Sequence, residues 1–477
     1  MKTSISNYDR SQISAGILHF GVGNFHRAHL QSYTNTLLAD QSQSQWGVCG
    51  AMIMPQDETL YRALKSQDGV YSLSICGRDG KNSVEWIGSL VELLWSGVDR
   101  EAIINKVADP AIKIISLTIT EGGYNTDKKS GEFIFDSEHI IYDMENPSAP
   151  KSVFGIIAEG LRRRIAAGAG AVTILSCDNL QHNGNICKGV FTAFFAKQDP
   201  SLAQWVESNV TFPNSMVDRI TPATTPADIE RINLTLEDKD AAPVYCEDFI
   251  QWVVEDNFAA GRPAWESVGV EFTDDVSPYE KMKLSLLNAS HTLLSYPSFV
   301  SGYRDVDAAM RDDRIIKFVR DFMNLDVTPY VPAPKNTDLE LYKNTLIERF
   351  ANKAVSDQIA RLCGDGASKF PVYVLPIAEK MLEGGDDTTR IAYLVAVYRH
   401  YLKYLTDDRG ITYDLFEPWL TESDYEIIAS DEAALFLSAS PFSGVNFSTN
   451  KAFIDLYLAF VAKIKEQGAM ATLEEII

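Results

Sequence analysis

Apolar segments of strand length alternate with helix-like segments through the first half of the chain. The segments at residues 15–20, 47–53, 112–119 and 171–176 are each rich in apolar residues along their whole length. Strands that are buried on both faces show such runs, and strands separated by helices pair in parallel. The pattern therefore predicts βαβ units and a mainly parallel sheet, which places the first half among the α/β folds. Residues 58–95 are less regular and are expected to add hairpins.

The pattern changes near residue 280. Segments 314–323, 339–349, 390–404 and 451–463 have apolar residues at the spacing of an amphipathic helix. Asp338, directly before the second of these segments, is a typical N-cap residue. We therefore expect two domains, an α/β domain over residues 1–280 and a mostly α-helical domain over residues 281–477.

The composition excludes several classes of partner. Asp and Glu total 65 against 43 for Lys and Arg, so the formal net charge is −22. Such a surface repels nucleic acid and anionic membranes. The six cysteines stand singly, which favours free thiols in a reducing compartment over disulfides or a zinc cluster. Because there is no signal-peptide pattern and no apolar run of about 18 residues, we expect a cytoplasmic protein without a membrane span.

A glycine-containing turn follows the first predicted strand and opens a helix. Glycines allow a tight turn in which backbone N–H groups approach a pyrophosphate. The cofactor-binding residues expected here are Gly21, Gly23, Asn24, Phe25 and Arg27. Arg27 would neutralise phosphate charge, whereas His26 stands where the dinucleotide fingerprint has its third glycine. A plain strand-to-helix turn with a solvated arginine is the alternative.

An acid at the end of the second strand usually binds the ribose hydroxyls of a dinucleotide. Asp57 is the nearest carboxylate there, and no Arg or Lys adjoins that strand end to receive a 2′-phosphate. The sequence therefore favours NAD over NADP. Thr120 and Glu121 follow the carboxyl end of another predicted strand, where α/β sheets bind ligands, so we expect them on the nicotinamide side.

Three polar side chains share one face of an otherwise apolar segment at residues 279–291. At about 100° per residue of an α-helix, taking Lys283 as zero places His291 at roughly 80° and Asn288 at roughly 140°. An amine that can lose its proton, beside an amide that donates hydrogen bonds, suits deprotonation of an alcohol and support of the resulting oxyanion. The alternative is a surface lysine with two polar residues at a packing seam.

Four separated motifs resemble those of the polyol-specific long-chain dehydrogenases. They are Gly21-Val22-Gly23-Asn24-Phe25-His26-Arg27-Ala28-His29, Thr118-Ile119-Thr120-Glu121-Gly122-Gly123-Tyr124, Ser176-Cys177-Asp178-Asn179-Leu180, and Lys283 with Asn288 and His291. The resemblance runs from about residue 15 to the C-terminus. It implies an NAD-binding Rossmann-type domain, a mostly helical substrate-binding domain and a zinc-free oxidation of a secondary alcohol, with D-mannitol and D-fructose as the pair. It also implies a small-molecule polyol or ketose as the partner and favours a monomer.

The resemblance also implies roles for single residues. Lys283 matches the general base, Asn179 and Asn288 match two amide donors, and His291 matches a histidine that orients the substrate. Positions that match residues near the sugar hydroxyls are Asp218, Arg219, Arg361 and Lys369. The histidines expected to be structural are His19, His139 and His400.

The proposed chemistry requires an unusual lysine. At its ordinary pKa of about 10.4 a lysine is protonated and cannot act as a base. Partial burial and the positive charge of oxidised nicotinamide both disfavour the ammonium form, so we expect Lys283 to act as base in oxidation and acid in reduction. Asn179 has an alternative role as a turn residue that caps the backbone. Glu280 either passes the proton to water or forms an i,i+3 ion pair.

Several alternatives stay open. Fructuronate (mannonate) reductases share the lysine segment, although residues 361–370 look more like the mannitol branch, and arabinitol is another possible substrate. Tyr279 and Lys283 also have the Tyr-x-x-x-Lys spacing of short-chain dehydrogenases, a spacing that recurs at Tyr61 and Lys65. A zinc alcohol dehydrogenase would need a ligand set that no cluster supplies. A non-catalytic nucleotide sensor would not need the lysine segment.

Overall fold

The four predicted apolar segments form four strands of a six-stranded parallel sheet. The computed structural model describes residues 8–127, 130–335, 337–355 and 357–477. Within these residues the strands are β1 (Ala15–Phe20), β2 (Gly47–Met52), β3 (Tyr71–Cys76), β4 (Asn82–Ile87), β5 (Leu90–Trp95), β6 (Ile114–Leu117), β7 (Val172–Ser176), β8 (Val210–Thr211), β9 (Ser215–Asp218), β10 (Val244–Glu247), β11 (Gln251–Glu255) and β12 (Glu271–Thr273). The large sheet has the order β5, β2, β1, β6, β7, β8, and each neighbouring pair is parallel.

The strand order creates a switch point between β1 and β6. The chain runs outward from β1 through β2 to β5 on one side, and outward from β6 through β7 to β8 on the other. Doubly wound dinucleotide-binding sheets have this order, and they bind ligands outside the carboxyl ends of the strands at the switch point. The loops that follow β1 and β6 are therefore the first places to look for a site.

The sheet is covered on both faces. Leu18 and Phe20 of β1 belong to one hydrophobic core, while Ile17 belongs to the core on the other face. The first core also contains residues of the helices Ser96–Ala108 and Val153–Ala166. Burying one such side chain contributes about 1.5–3 kcal/mol. Burial on both faces explains why the strands are apolar throughout and do not alternate.

The irregular region between β2 and β6 adds strands outside the main sheet. β3 and β4 form an antiparallel hairpin, which confirms the expected hairpin, and β10 joins β3 in parallel. A further small sheet pairs β11 with β9 antiparallel and with β12 in parallel. The α-helices of this part are Asn24–Ala28, Leu30–Leu37, Glu58–Ser66, Ser96–Ala108, Glu138–Glu145, Val153–Ala166, Asn183–Gln198, Pro200–Asn209 and Pro226–Asn233.

The chain divides into two compact units, of which the first ends at Ser277 and the second begins at Pro278. From there on the described part of the chain consists of helices joined by loops, with isolated β-bridges between Asp305 and Gln358 and between Thr406 and Thr412. The α-helices are Ser277–Met282, Ala289–Val300, Val306–Ala309, Asp313–Asp321, Leu339–Phe350, Ile359–Cys363, Gly366–Lys369, Leu375–Gly384, Thr389–Tyr404, Glu422–Ala429, Lys451–Gln467 and Ala469–Glu474. Asp338 caps one of them, because its side chain accepts a hydrogen bond from the Leu341 N–H. The predicted fold class, a parallel-sheet domain followed by a mostly helical domain, is confirmed.

Three segments of the second unit are π-helical. They are Lys283–Asn288, Phe322–Val327 and Phe370–Val374, and the first packs against the other two. The segment around Lys283 is therefore not the regular α-helix that the sequence predicts. A π turn closes i→i+5 hydrogen bonds and so holds one residue more than an α-helical turn; such turns are frequent at functional sites.

A buried ion pair ties one of these π turns to a long helix. Asp326 accepts two hydrogen bonds of 2.6 Å from the guanidinium of Arg390, which lies on Thr389–Tyr404. Both side chains are less than one-tenth exposed. Removing one partner would leave a buried charge without compensation.

Candidate active site

The turn after β1 requires a glycine at position 21. Gly21 has φ = +95°, and a Cβ atom there would lie 2.0 Å from the carbonyl oxygen of Thr118, the residue after β6. Thr118 Oγ1 donates a 2.6 Å hydrogen bond to the Gly21 carbonyl. The loops on the two sides of the switch point are thus in direct contact, as the first glycine of a dinucleotide loop allows.

A cavity of about 980 Å³ in the first unit opens beside this turn. A Cβ atom at Gly23 would meet no protein atom within 4 Å, so packing within the protein does not require a glycine there. Close approach of a bound pyrophosphate would require one. Four of the predicted cofactor residues line this cavity: Gly21, Gly23, Asp57 and Thr120.

Two stacked histidines support the glycine turn. The rings of His19 and His26 lie 3.3 Å apart at an interplanar angle of 11°. His19 Nδ1 lies 2.8 Å from Ser116 Oγ, and its Nε2 lies 2.9 Å from Thr118 Oγ1 and 3.1 Å from the Gly21 carbonyl. Burial lowers the pKa of His19 to about 3, so the ring is neutral at ordinary pH. His26 stands where the dinucleotide fingerprint has its third glycine. Its ring therefore packs on His19, whose Nε2 contacts the carbonyl of Gly21, the first glycine of that fingerprint.

The helix after the turn directs its side chains away from the cavity lining. The Arg27 guanidinium is buried and donates to the Ala242 carbonyl and to Asn24 Oδ1, both at 2.6 Å. Asn24 in turn donates to the Pro222 carbonyl, and the ring of Phe25 stacks on that of His29. Burial lowers the pKa of Arg27. The phosphate contact predicted for Arg27 finds no support in this position, because the arginine faces the core.

The loop after β6 is held in a strained conformation by a buried carboxylate. Thr120 has φ = +66° and ψ = 163°, a region that residues other than glycine rarely adopt. Asp178, after β7, accepts hydrogen bonds from the N–H groups of Ile119 at 3.0 Å and of Thr120 at 2.9 Å. The Tyr124 hydroxyl donates to the same carboxylate at 2.8 Å. The predicted residue Asn179 is exposed and directly follows Asp178, and Glu121 directly follows Thr120.

Burial raises the pKa of Asp178, against the lowering effect of its three hydrogen-bond donors. Asp178 lies within one of the four motifs, but the sequence analysis did not predict that its carboxylate would bind the backbone of the loop after β6. The two N–H groups that it binds lie far from it in the chain, so the sequence alone gives no signal that they meet.

Asp57 lies in the turn after β2, at the cavity. Its Oδ2 accepts a 2.9 Å hydrogen bond from the Met54 N–H. Asp57 also lines the cavity, and its contact with a ribose hydroxyl stays a prediction. Polar residues of the lining that were not predicted as cofactor residues include Arg100, His139, Lys151 and Ser152. Arg100 corrects the expectation that no cation adjoins this region, because it lies on the helix Ser96–Ala108, which directly follows β5.

The second unit carries the predicted lysine, amide and imidazole on the first π turn and the α-helix after it. Lys283 and Asn288 are 8% and 9% exposed, and the His291 ring packs 4.3 Å from that of Phe350. The extra residue of a π turn rotates later positions back by about 100°. His291 therefore moves from about 80° to about −20° relative to Lys283. The π turn brings the amine and the imidazole closer to one line along the helix than the predicted α-helix would.

The remaining predicted substrate residues have protein partners. Asp218 and Arg219 are buried at the end of β9, where Arg219 donates to the carbonyls of Ala28 at 2.6 Å and Glu247 at 3.1 Å. Arg361 pairs with Asp357 at 2.6 Å. Lys369 donates to main-chain carbonyls at the end of the helix Ile359–Cys363, including that of Leu362 at 3.0 Å, and burial lowers its pKa. These contacts give Arg219 and Lys369 a role in the fold, and substrate contact by the four stays a prediction.

Within residues 8–127, 130–335, 337–355 and 357–477, no three His, Cys, Asp or Glu side chains are grouped in a way that would hold a metal ion. In the same part of the chain no helix is both long and apolar enough to cross a bilayer. Neither observation decides the reaction, and metal-independent chemistry stays a prediction.

The strand order, the required glycine and the cavity at the switch point define the first unit as a Rossmann-type dinucleotide-binding domain. Comparison with known families agrees. A model of the mannitol dehydrogenase Rossmann domain matches residues 15–267, and a model of the mannitol dehydrogenase C-terminal domain matches residues 275–463. The chain belongs to the mannitol dehydrogenase family.

Individual relatives match over nearly the whole chain. The polyol:NADP oxidoreductase of Gluconobacter oxydans is 38% identical over 98% of this chain and 96% of its own length. The D-mannonate oxidoreductase of Escherichia coli is 36% identical over 97% of this chain and 96% of its own. The structure of Pseudomonas fluorescens mannitol 2-dehydrogenase in a ternary complex with NAD and D-mannitol is 40% identical, with a TM-score of 0.87 over 98% of this chain and 96% of that one. The predicted family and enzyme class, a polyol dehydrogenase, are confirmed.

Proposed function

We propose that this polyol oxidoreductase, whose cofactor is NAD, interconverts D-mannitol and D-fructose by hydride transfer at a secondary alcohol. Full-length similarity to a mannitol 2-dehydrogenase solved with NAD and D-mannitol carries the proposal. The buried lysine and amide and the half-buried imidazole, on one π turn and its following helix, support the same chemistry. The name of the Escherichia coli relative favours a second candidate, the oxidation of D-mannonate to fructuronate. Arabinitol is a further substrate to test.

The cavity at the switch point fits the cofactor. Gly21 permits the tight turn, and the open Cβ position of Gly23 leaves room for the pyrophosphate. Asp57 would accept hydrogen bonds from the ribose hydroxyls, and Thr120 lies at the carboxyl end of β6, where the nicotinamide half is expected. When bound, NAD supplies the hydride acceptor. The protein must then bind the alcohol and remove its hydroxyl proton.

Lys283 takes the hydroxyl proton in our proposal. As the carbinol carbon loses a hydride, the O–H bond breaks and its proton passes to Lys283 Nζ, so that a polyol becomes a ketose and the lysine becomes an ammonium group. Burial of an amine disfavours its charged form, and Lys283 is 8% exposed. In the reverse direction the ammonium group returns the proton to the new alkoxide.

The amides of Asn179 and Asn288 would stabilise the alkoxide as charge develops on oxygen. His291 would hydrogen-bond to a neighbouring hydroxyl and fix the substrate against the lysine. Asp218, Arg219, Arg361 and Lys369 would define the shape and charge around the remaining hydroxyls, which decides between a polyol and a sugar acid. Each of these roles is a hypothesis that single variants can test.

The experiment is a substrate panel of mannitol, arabinitol, fructose and fructuronate, assayed with both NAD and NADP forms. We expect the highest kcat/KM for mannitol and fructose with NAD. Lys283→Ala should abolish the acidic limb of the pH profile for oxidation, the loss of rate at low pH where the base is protonated, and lower turnover strongly. Lys281→Ala, two residues earlier in the same helical region, is the matched control and should keep that limb. Turnover at the wild-type level with an unchanged profile in Lys283→Ala would refute the proposed base, and a preference for fructuronate would favour the second candidate.

A further inference from the structure

The cavity assigned to the cofactor carries a cation that none of the roles above uses. Arg100 lines it together with Asp57. The preceding residue, Asp99, has non-helical backbone angles (φ −153°, ψ 89°), and its carboxylate accepts a 2.9 Å hydrogen bond from the Ala102 N–H. An N-cap residue does this, so Arg100 is the first residue of the regular helix after β5. It stands at the carboxyl end of the strand next to β2.

The segment after β2 is hydrogen-bonded to the end of β5 and to the start of the helix that follows β5. Trp95 Nε1 donates to the Met54 carbonyl at 3.1 Å, and Ser96 Oγ donates to the Ile53 carbonyl at 2.8 Å. Met54 N–H is the group bound by the Asp57 carboxylate. The segments that carry the acid and the arginine are therefore hydrogen-bonded to each other, and both residues line the cavity.

Among the described residues the guanidinium of Arg100 has neither a hydrogen-bond acceptor nor an ion-pair partner, and its Nε atom is buried. Guanidinium groups bind phosphate through two parallel N–H donors. The other lysine or arginine of the lining, Lys151, instead places its ammonium 3.6 Å from the centre of the Tyr142 ring.

We propose that Arg100 is the residue that receives a 2′-phosphate in this cavity, and that the Asp57 carboxylate opposes it. The preference for NAD over NADP then depends on Asp57, while the positive partner that NADP needs is already present. This inference rests on the proposed function, because it takes the cavity as the cofactor site. Asp57→Asn would remove the negative charge and keep an oxygen for the Met54 N–H.

Binding measurements test the proposal without turnover. NADH, NADPH and adenosine 2′,5′-bisphosphate are titrated against the full-length protein, with fluorescence or calorimetry as the readout. Asp57→Asn should bind NADPH and the bisphosphate about 10- to 100-fold more tightly than the wild type. Adding Arg100→Ala to that variant should abolish the gain, and Arg100→Lys should retain part of it.

Arg62→Ala is the matched control, since Arg62 carries the same charge on the nearby helix Glu58–Ser66 and pairs with Glu58. It should leave the affinity for NADPH within about twofold of the wild type. If the double variant Asp57→Asn with Arg100→Ala still binds NADPH more tightly than the wild type does, and it still binds NADH, the role of Arg100 is refuted but the cofactor cavity is not. A wild-type protein that binds neither NADH nor NADPH would overturn the proposed cofactor cavity as well.

Discussion

The Asp178 carboxylate offers a direct test of how the loop after β6 serves the cofactor. Its Oδ1 accepts from the Thr120 N–H, and its Oδ2 accepts from the Ile119 N–H and the Tyr124 hydroxyl. In Asp178→Asn one oxygen becomes an NH₂ group. Whichever way the amide turns, one of the two backbone N–H groups then faces a donor. The tyrosine hydroxyl can rotate, but a backbone N–H cannot.

The size of the effect follows from that lost bond. A hydrogen bond to a charged acceptor contributes about 1.5–3 kcal/mol. Thr120 needs that contribution, because a backbone conformation like its own costs about 1–3 kcal/mol. If the strained loop is the conformation that binds the cofactor, kcat/KM for NAD should fall by about 10- to 100-fold in Asp178→Asn. Steady-state kinetics with NAD varied at saturating mannitol measures this.

Asp240→Asn is the matched control. Asp240 is also a buried acid, 2% exposed, and it accepts hydrogen bonds from the N–H groups of Ser72 and Ala242. It does not line the cavity, so its amide variant should lose stability and keep kcat/KM for NAD near the wild-type value. If Asp178→Asn stays within about threefold of the wild type, the carboxylate does not position the loop and the reasoning is wrong.

Three further outcomes are expected. Asn288→Ala should lower turnover by about 10²–10³, as loss of an oxyanion donor does; stopped-flow measurement of hydride transfer would show it, and a change of only a few-fold would remove the proposed role. The pKa of His19 is lowered from 6.5 to about 3 by burial, so the unfolded state binds an extra proton below pH 6.5 and stability falls as the pH drops. Between pH 7 and pH 5 the wild type should lose about 2 kcal/mol more than His19→Gln in urea unfolding, and equal losses would contradict the assignment. Arg390→Met should lower the free energy of unfolding by about 3–5 kcal/mol, because it leaves Asp326 buried and unpaired, and adding Asp326→Asn should recover part of that loss.

Much of the fold can be predicted from the sequence because its elements have strong local signals. β1 was predicted with its observed bounds, since a short apolar run that ends directly before a glycine turn has few other outcomes. The helix Lys451–Gln467 extends only slightly beyond its predicted end, and Asp338 caps its helix as expected. These features depend on residues close together in the chain, where periodicity and capping are informative.

The features that the sequence does not reveal depend on distant residues. Arg27 lies in the core because it donates to the carbonyl of Ala242, and Thr120 keeps its strained backbone conformation because its N–H donates to Asp178. Arg100 reaches the cavity because β5 lies beside β2, which is a fact of sheet order. Helical periodicity of 3.6 residues does not reveal the π turn at Lys283, because one extra residue in a buried apolar segment leaves the apolar pattern intact.

That π turn lets its segment hold one residue more than an α-helix of the same span. Deleting a single interior residue, for example Leu286, would let the chain close as a continuous α-helix with every backbone bond intact. Seven residue steps instead of eight would then join the amine to the imidazole, and seven steps of about 100° again place the imidazole about −20° from the amine. The additional residue therefore changes the helix type without changing the bearing between the two groups, and a shorter chain of this family would keep them on one line in a plain α-helix.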